Sequence, residues 1–407
     1  MTESIKSPEA GTEMPRTGFV ESILLMVLLI SLPALSIDTM LPVFPEIARD
    51  LNVQQANDIQ LIIPALIFGL ATGQLVFGPL SDSMGRKSVL TLSAFIFMAG
   101  CLLCFFSVGL PTMLAGRVVQ GVGISGPRTV VLALIRDQYE GRAMARMMSI
   151  VMSVFIIIPA FAPLIGQGIA LVAGWRAIFA SLLALMLIAL IWFARRQPET
   201  LLPRNRIAFS LREIAGAFVL VCSTRVTLGY TIMAGLVMGA FFGYLNSAQQ
   251  IFQDVYGVGR LFSLFFAILS LSLGCASLLN SRIVMRHGMR TLTKRAMVGL
   301  FTLSMVYVGV ICAMGGVSPL WMFMAFFMII FFCVGILFGN LNAIAMKPLG
   351  QVAGTASAVV GSLSTLIAVP PGAFIGLCYN GTILPLMTGF AVLSLFSFAI
   401  MRWAETE

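Results

Sequence analysis

The 407 residues are 59% hydrophobic and only 10% charged, with a mean hydropathy of +1.00. A soluble domain carries about 25% charged residues to wet its surface, and soluble cores stop growing at roughly 250–300 residues, so a water-soluble globule is excluded and an integral membrane protein is predicted. The net charge of +9 would fit nucleic acid only if the basic residues gathered on one soluble face; they instead recur in short clusters between apolar runs, so no nucleic-acid partner is expected.

In chain order, residues 1–18 form a polar tail with acids and prolines and no cleavable signal pattern, so the first apolar helix is expected to be retained. Crossing the hydrocarbon core takes about 20 apolar residues. By that rule spans fall near 19–43, 58–79, 88–108, 111–135, 147–171 and 175–194, forming a bundle over 19–194. The polar stretch from Arg195 to Glu213, with Pro198, Pro203 and five arginines, interrupts the series; 195–222 is expected to be a central loop followed by an interfacial helix. A second set near 223–247, 260–280, 292–313, 319–345, 353–378 and 383–402 makes the second bundle, over 223–403.

Lysine and arginine place one set of loops inside. Arg86 and Lys87, Arg136, Arg142 and Arg146, the central arginines, and Arg282, Arg286, Arg290, Lys294, Arg295 and Lys347 fall on one face; the opposite loops carry Arg49, Arg176 and Arg260. That asymmetry requires an even number of spans with both termini inside. The seven cysteines lie in or beside spans and read as small hydrophobes, with no disulfide framework. The one histidine, His287, sits in a loop. Neither a Ser-His-Asp set nor a metal cluster is evident, so no enzyme and no cofactor are expected.

Several positions carry chemistry. In Leu35-Ser-Ile-Asp38-Thr-Met-Leu41-Pro42 the acid lies well inside the first span, whereas the other acids sit in loops, at termini or near span ends. Burial disfavours a bare carboxylate and a nearby cation favours it, a combination that loads and releases protons; a structural ion pair is the plain alternative. After the second span, Gly78-Pro-Leu-Ser-Asp82-Ser-Met-Gly85-Arg86-Lys87 makes a basic, glycine-turned loop, weakly repeated 203 residues later around Gly288. Two parallel halves with a site between them describe one major transporter architecture.

In the fourth span, Arg117-Val-Val-Gln120-Gly121-Val-Gly123 places an arginine where it costs at least ~2.5–3.5 kcal/mol unless paired or hydrated. Asp38 lies about 20 residues past the inner start of its span and Arg117 about six past the outer start, so at ~1.5 Å per residue both fall in the outer half and are expected to pair. Arg128, three turns farther along the same face in the inner half, is a candidate cavity cation for an anionic or polar substrate group, or a partner for a loop acid. Ala162-Pro163-Leu-Ile-Gly166 marks a bend with close helix approach in the fifth span. Tyr230, Tyr244, Asn246, Asn340 and Asn342 are candidate cavity groups of the second half, with bonding between helices as the alternative.

These segments resemble the signatures of the major facilitator superfamily. Gly78-x-Leu80-x-Asp82-x-x-Gly85-Arg86-Lys87 matches its loop motif without a gap, and Arg117-x-x-Gln120-Gly121-x-Gly123 matches its fourth-span motif. The Pro163 and Gly166 segment resembles a reduced antiporter motif, with Ala162 and Gln167 where glycines usually stand. Asp38-x-x-Leu41-Pro42 resembles the corresponding segment of the bicyclomycin/chloramphenicol-resistance drug exporters.

The resemblance implies an all-α integral membrane fold, twelve transmembrane helices in two pseudo-symmetric six-helix bundles. It also implies a conformational latch in the Asp82 loop, and Asp38 and Arg117 in proton coupling and substrate binding. The expected activity is drug/proton antiport of small amphipathic molecules across a bacterial inner membrane, with both termini cytoplasmic. The proton gradient would be the energy source and the protein a monomer in the lipid bilayer. A second acid found two turns earlier in some exporters is Ile30 here, which weighs against two-proton or divalent-cation export. A proton symporter, or an exporter of one metabolite, peptide or siderophore, is the alternative.

Overall fold

The computed structural model describes residues 18–405, the side chains at 142, 145, 152–153, 155–156, 260 and 350–353 excepted; the expected tail over 1–18 lies outside them but for Gly18. Among the described residues all regular structure is helical. The first half contains α1 (Phe19–Asp38), α2 (Phe44–Asp50), α3 (Ile62–Met84), α4 (Arg86–Phe105), α5 (Leu110–Gln138), α6 (Gly141–Ala173) and α7 (Arg176–Arg196). After α8 (Leu211–Ser223), the second half contains α9 (Arg225–Gln250), α10 (Phe262–His287), α11 (Met289–Ala313), α12 (Leu320–Met346), α13 (Ala353–Leu377) and α14 (Leu384–Glu405). Hydrocarbon offers no hydrogen-bond partners, so a spanning chain must satisfy its own backbone, and only a helix or a closed barrel does so. Eleven spans are long and apolar enough to cross; α6, with its apolar run Ile157–Ala173, is the twelfth.

Packing shows the internal symmetry that the sequence repeat only hints at. Within the first half α4 packs on α5, α3 on α5, α4 on α7, and α1 on α5, α6 and α7. The second half repeats each pair: α11 on α12, α10 on α12, α11 on α14, and α9 on α12, α13 and α14. The halves meet through α3 against α13 and α6 against α10, two contacts that the same correspondence exchanges. Burial sorts the helices by role. Two-thirds of the apolar stretch is buried in α5 and α9 (67% each) against 33% in α10 and α11, so the first pair is central and the second leaves most of its surface outward.

The first span departs from expectation. The sequence predicts one helix over 19–43, but α1 stops at Asp38, turns at Thr39–Met40, and resumes through a tight turn at Leu41–Val43 into α2. The cause is Pro42, which has no N–H to give to the carbonyl of Asp38 four residues before it. The acid is therefore the last residue of a helix rather than a mid-helix residue. The seventh span also runs longer than predicted, α9 continuing into a single wide turn over Ile251–Val255.

Close approach is enforced by glycine. A Cβ on Gly121 of α5 would stand 2.0 Å from the Leu66 carbonyl of α3, and one on Gly69 of α3 would stand 2.1 Å from the Val118 carbonyl of α5. On α6, a Cβ at Gly166 would lie 1.9 Å from the Thr39 carbonyl, where α1 breaks, whereas Gly168 has open space around it. Gly166→Ala is therefore expected to destabilise the detergent-solubilised protein by about 1–3 kcal/mol. Gly168→Ala, in the same helix, should be neutral or stabilising by about 0.5–1 kcal/mol. Equal melting temperatures for the two variants would refute the close contact at Thr39.

Candidate functional site

Asp38 is 4% exposed and makes no hydrogen bond or ion pair among the described residues. The expected pairing with Arg117 is not formed. Arg117 is wholly buried, and its guanidinium donates from Nη2 to the Ser36 carbonyl at 2.9 Å, from Nε to the Ile62 carbonyl at 3.3 Å, and from Nη1 to Gln120 Oε1 at 2.7 Å. Ser36 lies in the last turn of α1, where carbonyls lose their intrahelical donors. The broken helix thus presents a backbone acceptor, and the planar fork of the guanidinium takes it. Gln120, oriented by Arg117, passes a hydrogen bond on to Cys101 Sγ at 3.2 Å. Arg117 joins the end of α1, the start of α3 and the first third of α5.

The second half answers with aromatic rings. Tyr244 of α9 is fully buried, its ring centroid 4.7 Å from Phe331, 5.7 Å from Phe327 and 5.8 Å from Phe266. Its hydroxyl has no hydrogen-bond partner, and the Asp38 carboxylate lies near enough to act on it electrostatically. The turn Leu41–Val43 that follows Asp38 packs on α9, so an acid of one half and a phenol of the other, neither hydrogen-bonded among the described residues, lie near each other where the halves meet, the phenol set among Phe241, Phe331 and their neighbours. Asn246, half a turn on from Tyr244, donates to the Gly372 carbonyl at 2.9 Å and keeps its own Oδ1 unpaired.

Three expected cavity groups of the second half do not join this region. Asn340 exchanges two hydrogen bonds with Asn280, at 2.9 and 3.2 Å, between α12 and α10; both ends of its amide are spent inside the second half. Tyr230 donates to Glu405 Oε1 at 2.7 Å, while Asn342 is exposed and bonds to the Phe338 carbonyl in its own helix. Arg128 lies elsewhere, in a cleft of about 220 Å3 near the end of the molecule that bears the basic loops, lined also by Gly78, Asp82 and Arg86 of the loop motif.

At that end the loop motif is a charge-linked turn. Gly85 adopts φ +98°, open to glycine and strained for other residues, between α3 and α4. Arg86, 7% exposed, pairs with Asp82 and donates from Nε to Asp137 Oδ2 at 3.0 Å and from Nη1 to Ser81 Oγ at 2.9 Å. Lys87 Nζ reaches the Ala194 carbonyl at 2.7 Å. The sequence reading missed two acids here. Glu199 accepts from the backbone N–H groups of Arg86 and Lys87 at 2.9 and 3.0 Å, giving α4 the negative charge that a helix start favours. Asp137 takes Arg86 and also Thr200 Oγ1 at 3.0 Å. The available signal was a helix start preceded by glycine, which has no capping side chain of its own.

At the opposite end the two halves are clasped together. Asn57 Nδ2 donates to the carbonyls of Leu377 and Tyr379, at 2.9 and 2.8 Å, and its Oδ1 accepts from Gln250 Nε2 at 2.8 Å. On α6, Gly166 sits against the break in α1 at Thr39, and Pro163 is buried in the turn before it. Gln167, standing where the motif usually has glycine, accepts from Ser263 of α10 at 3.1 Å, so the departure supplies a bond between the halves.

Comparison with known proteins agrees with this arrangement. The chain is 31% identical over 371 residues to the bicyclomycin resistance protein homolog of Haemophilus influenzae, covering 90% of this chain and 91% of that protein. It is 26% identical over 374 residues to multidrug resistance protein D of Escherichia coli, covering 87% and 88%. Among solved structures, the human organic anion transporter MFSD10 superposes with a TM-score of 0.70 at 16% identity, covering 97% of this chain and all of that one, a likeness of fold. The family model described as Major Facilitator Superfamily matches residues 26–373. With twelve helices in exchanged halves and that match across most of its length, the chain belongs to the major facilitator superfamily of membrane transporters.

Proposed function

We propose that this transporter exports small amphipathic molecules in exchange for protons, with Asp38 as the group that carries the proton. One observation carries the reading: Asp38 is a buried acid, without a hydrogen-bond partner among the described residues, at the end of α1 where the following turn meets α9 of the other half. A buried carboxylate held by an ion pair would resist protonation; one without such a partner exchanges its proton for other company. The relatives named for bicyclomycin and multidrug resistance support export of drugs.

The basic loops support a cytoplasmic position for their face and for both termini, in the inner membrane of a bacterial cell. The clasp at Asn57 then closes the outside, and the cleft at Arg128 opens inward. A substrate entering from the cytoplasm settles against Tyr244 and Phe331, and Asp38 releases its proton inward. The halves rock, the clasp opens, the substrate leaves, and a proton from outside reloads Asp38 for the return. Apolar rings with few polar groups set shape and size and tolerate varied ligands.

Everted membrane vesicles test this directly. With the interior acidified, vesicles holding the protein should accumulate radiolabelled bicyclomycin above control vesicles, and collapsing the proton gradient should release it. Uptake indifferent to the gradient removes the antiport reading. Accumulation only in right-side-out vesicles reverses the direction and makes the protein an importer.

A further inference from the structure

The cleft at the basic end is distinct in chemistry from the aromatic region around Asp38. It lies between α3 and α5 of the first half and the first turns of α13 of the second. Its charged lining is Asp82, Arg86, Arg128 and Arg136, three cations to one acid. Arg86 is already neutralised by Asp82 and Asp137. Arg136 donates to the Leu132 carbonyl of its own helix. Arg128 makes no hydrogen bond or ion pair among the described residues, although it sits ten residues from the end of α5, about 15 Å along the helix. An arginine at such depth is costly unless water or an anion meets it. Around it, Thr355 and Gln74 add neutral donors, whereas the hydroxyls of Thr129 and Ser357 donate to the Ser125 and Gly354 carbonyls of their own helices.

We propose that Arg128 is the anion-reading residue of this transporter: a cytoplasmic docking subsite for the carboxylate, or chemically similar oxyanion, of an acidic amphipathic substrate. The guanidinium fork matches a carboxylate with two parallel hydrogen bonds. The Thr355 hydroxyl of α13 closes on the same group from the other half. Because α3 and α5 belong to one half and α13 to the other, an anion held here contacts both halves at once. The subsite lies about 16 Å along α5 from Arg117, so it reads the entering head group while the aromatic wall reads the body. The identity of the ligand as a transported substrate rests on the export reading above; the anion site itself does not.

The test uses the purified full-length protein in phosphatidylcholine nanodiscs and two probes of one shape, 1-naphthaleneacetate and 1-naphthaleneacetamide, measured by titration calorimetry. Wild-type protein should bind the acetate at least about tenfold more tightly than the amide. Arg128→Gln should erase that preference and leave amide binding unchanged, and Arg128→Lys should keep part of it. No measurable acetate binding, equal affinities in the wild type, or a preference that survives Arg128→Gln would overturn the assignment. The wild-type comparison stands alone if the variant fails to fold. Repeating the titration with phosphatidylglycerol in the disc separates two sources of anion. Unchanged acetate binding supports a substrate subsite, whereas displacement reassigns the cleft to a lipid head group. A wild-type preference without gradient-driven export leaves the anion site intact and removes the antiport reading; export without the preference does the reverse.

Discussion

Asp38→Asn is expected to yield a folded, membrane-embedded protein that no longer builds a substrate gradient. The substitution keeps the shape of the side chain and removes only its ability to exchange a proton. Because Asp38 makes no hydrogen bond or ion pair among the described residues, little stability is lost with it, and the neutral amide is less costly to bury than a carboxylate. The functional effect is large. Each proton entering down 100 mV supplies about 2.3 kcal/mol, worth roughly forty- to fifty-fold in concentration. In the asparagine variant that ratio should fall to about one, while exchange of labelled for unlabelled substrate across vesicles, which needs no net proton movement, persists. Gradient-driven accumulation surviving in Asp38→Asn would take Asp38 out of the coupling role.

Arg117→Met should behave in the opposite way, damaging the scaffold first. It removes donors from the Ser36 and Ile62 carbonyls and from Gln120. Each buried acceptor left without a donor costs about 1–3 kcal/mol, so a loss of several kcal/mol is expected, less the relief of no longer burying a charge. The melting temperature in detergent should fall well below that of Asp38→Asn. Arg117→Lys should recover only part of it, since a single ammonium cannot span three acceptors set around a planar fork. A methionine variant as stable as the wild type would show that these bonds contribute nothing net. The contrast between two buried charged groups near one helix break decides between a structural and a transport role for each.

The helices were legible in the sequence because lipid demands about 20 apolar residues per crossing and the loops keep their charge. The loop motif was legible because its turn needs glycine at Gly85 and its acid and bases are local. The Asp38–Arg117 pair was misread for a physical reason: rise per residue gives depth, whereas direction around the helix axis decides which atoms meet. The same depth admits a guanidinium aimed at Ser36 and Ile62. Pro42 carried the signal for the break after Asp38, but an apolar run long enough to cross concealed it. Asn57 was invisible because its acceptors are backbone carbonyls, which leave no mark on residue identity. Glu199 reaches Arg86 across 113 residues, a distance no local pattern encodes. Asn340 carried no trace of Asn280, since either amide reads equally well as a cavity lining.

The clasp at Asn57 sets how firmly the resting form is held. Its three hydrogen bonds, from Asn57 to Leu377 and Tyr379 and from Gln250 to Asn57, are worth about 0.5–1.5 kcal/mol each. Together they come close to the work available from one proton crossing a 100 mV membrane, about 2.3 kcal/mol. In the proton exchange proposed above, the direction of transport follows the gradients and not the clasp. Collapse of the driving force in a starved cell would then turn the same protein into a path for re-entry, and molecules already expelled would run back down their own gradient. Such a device protects a cell only while that cell respires.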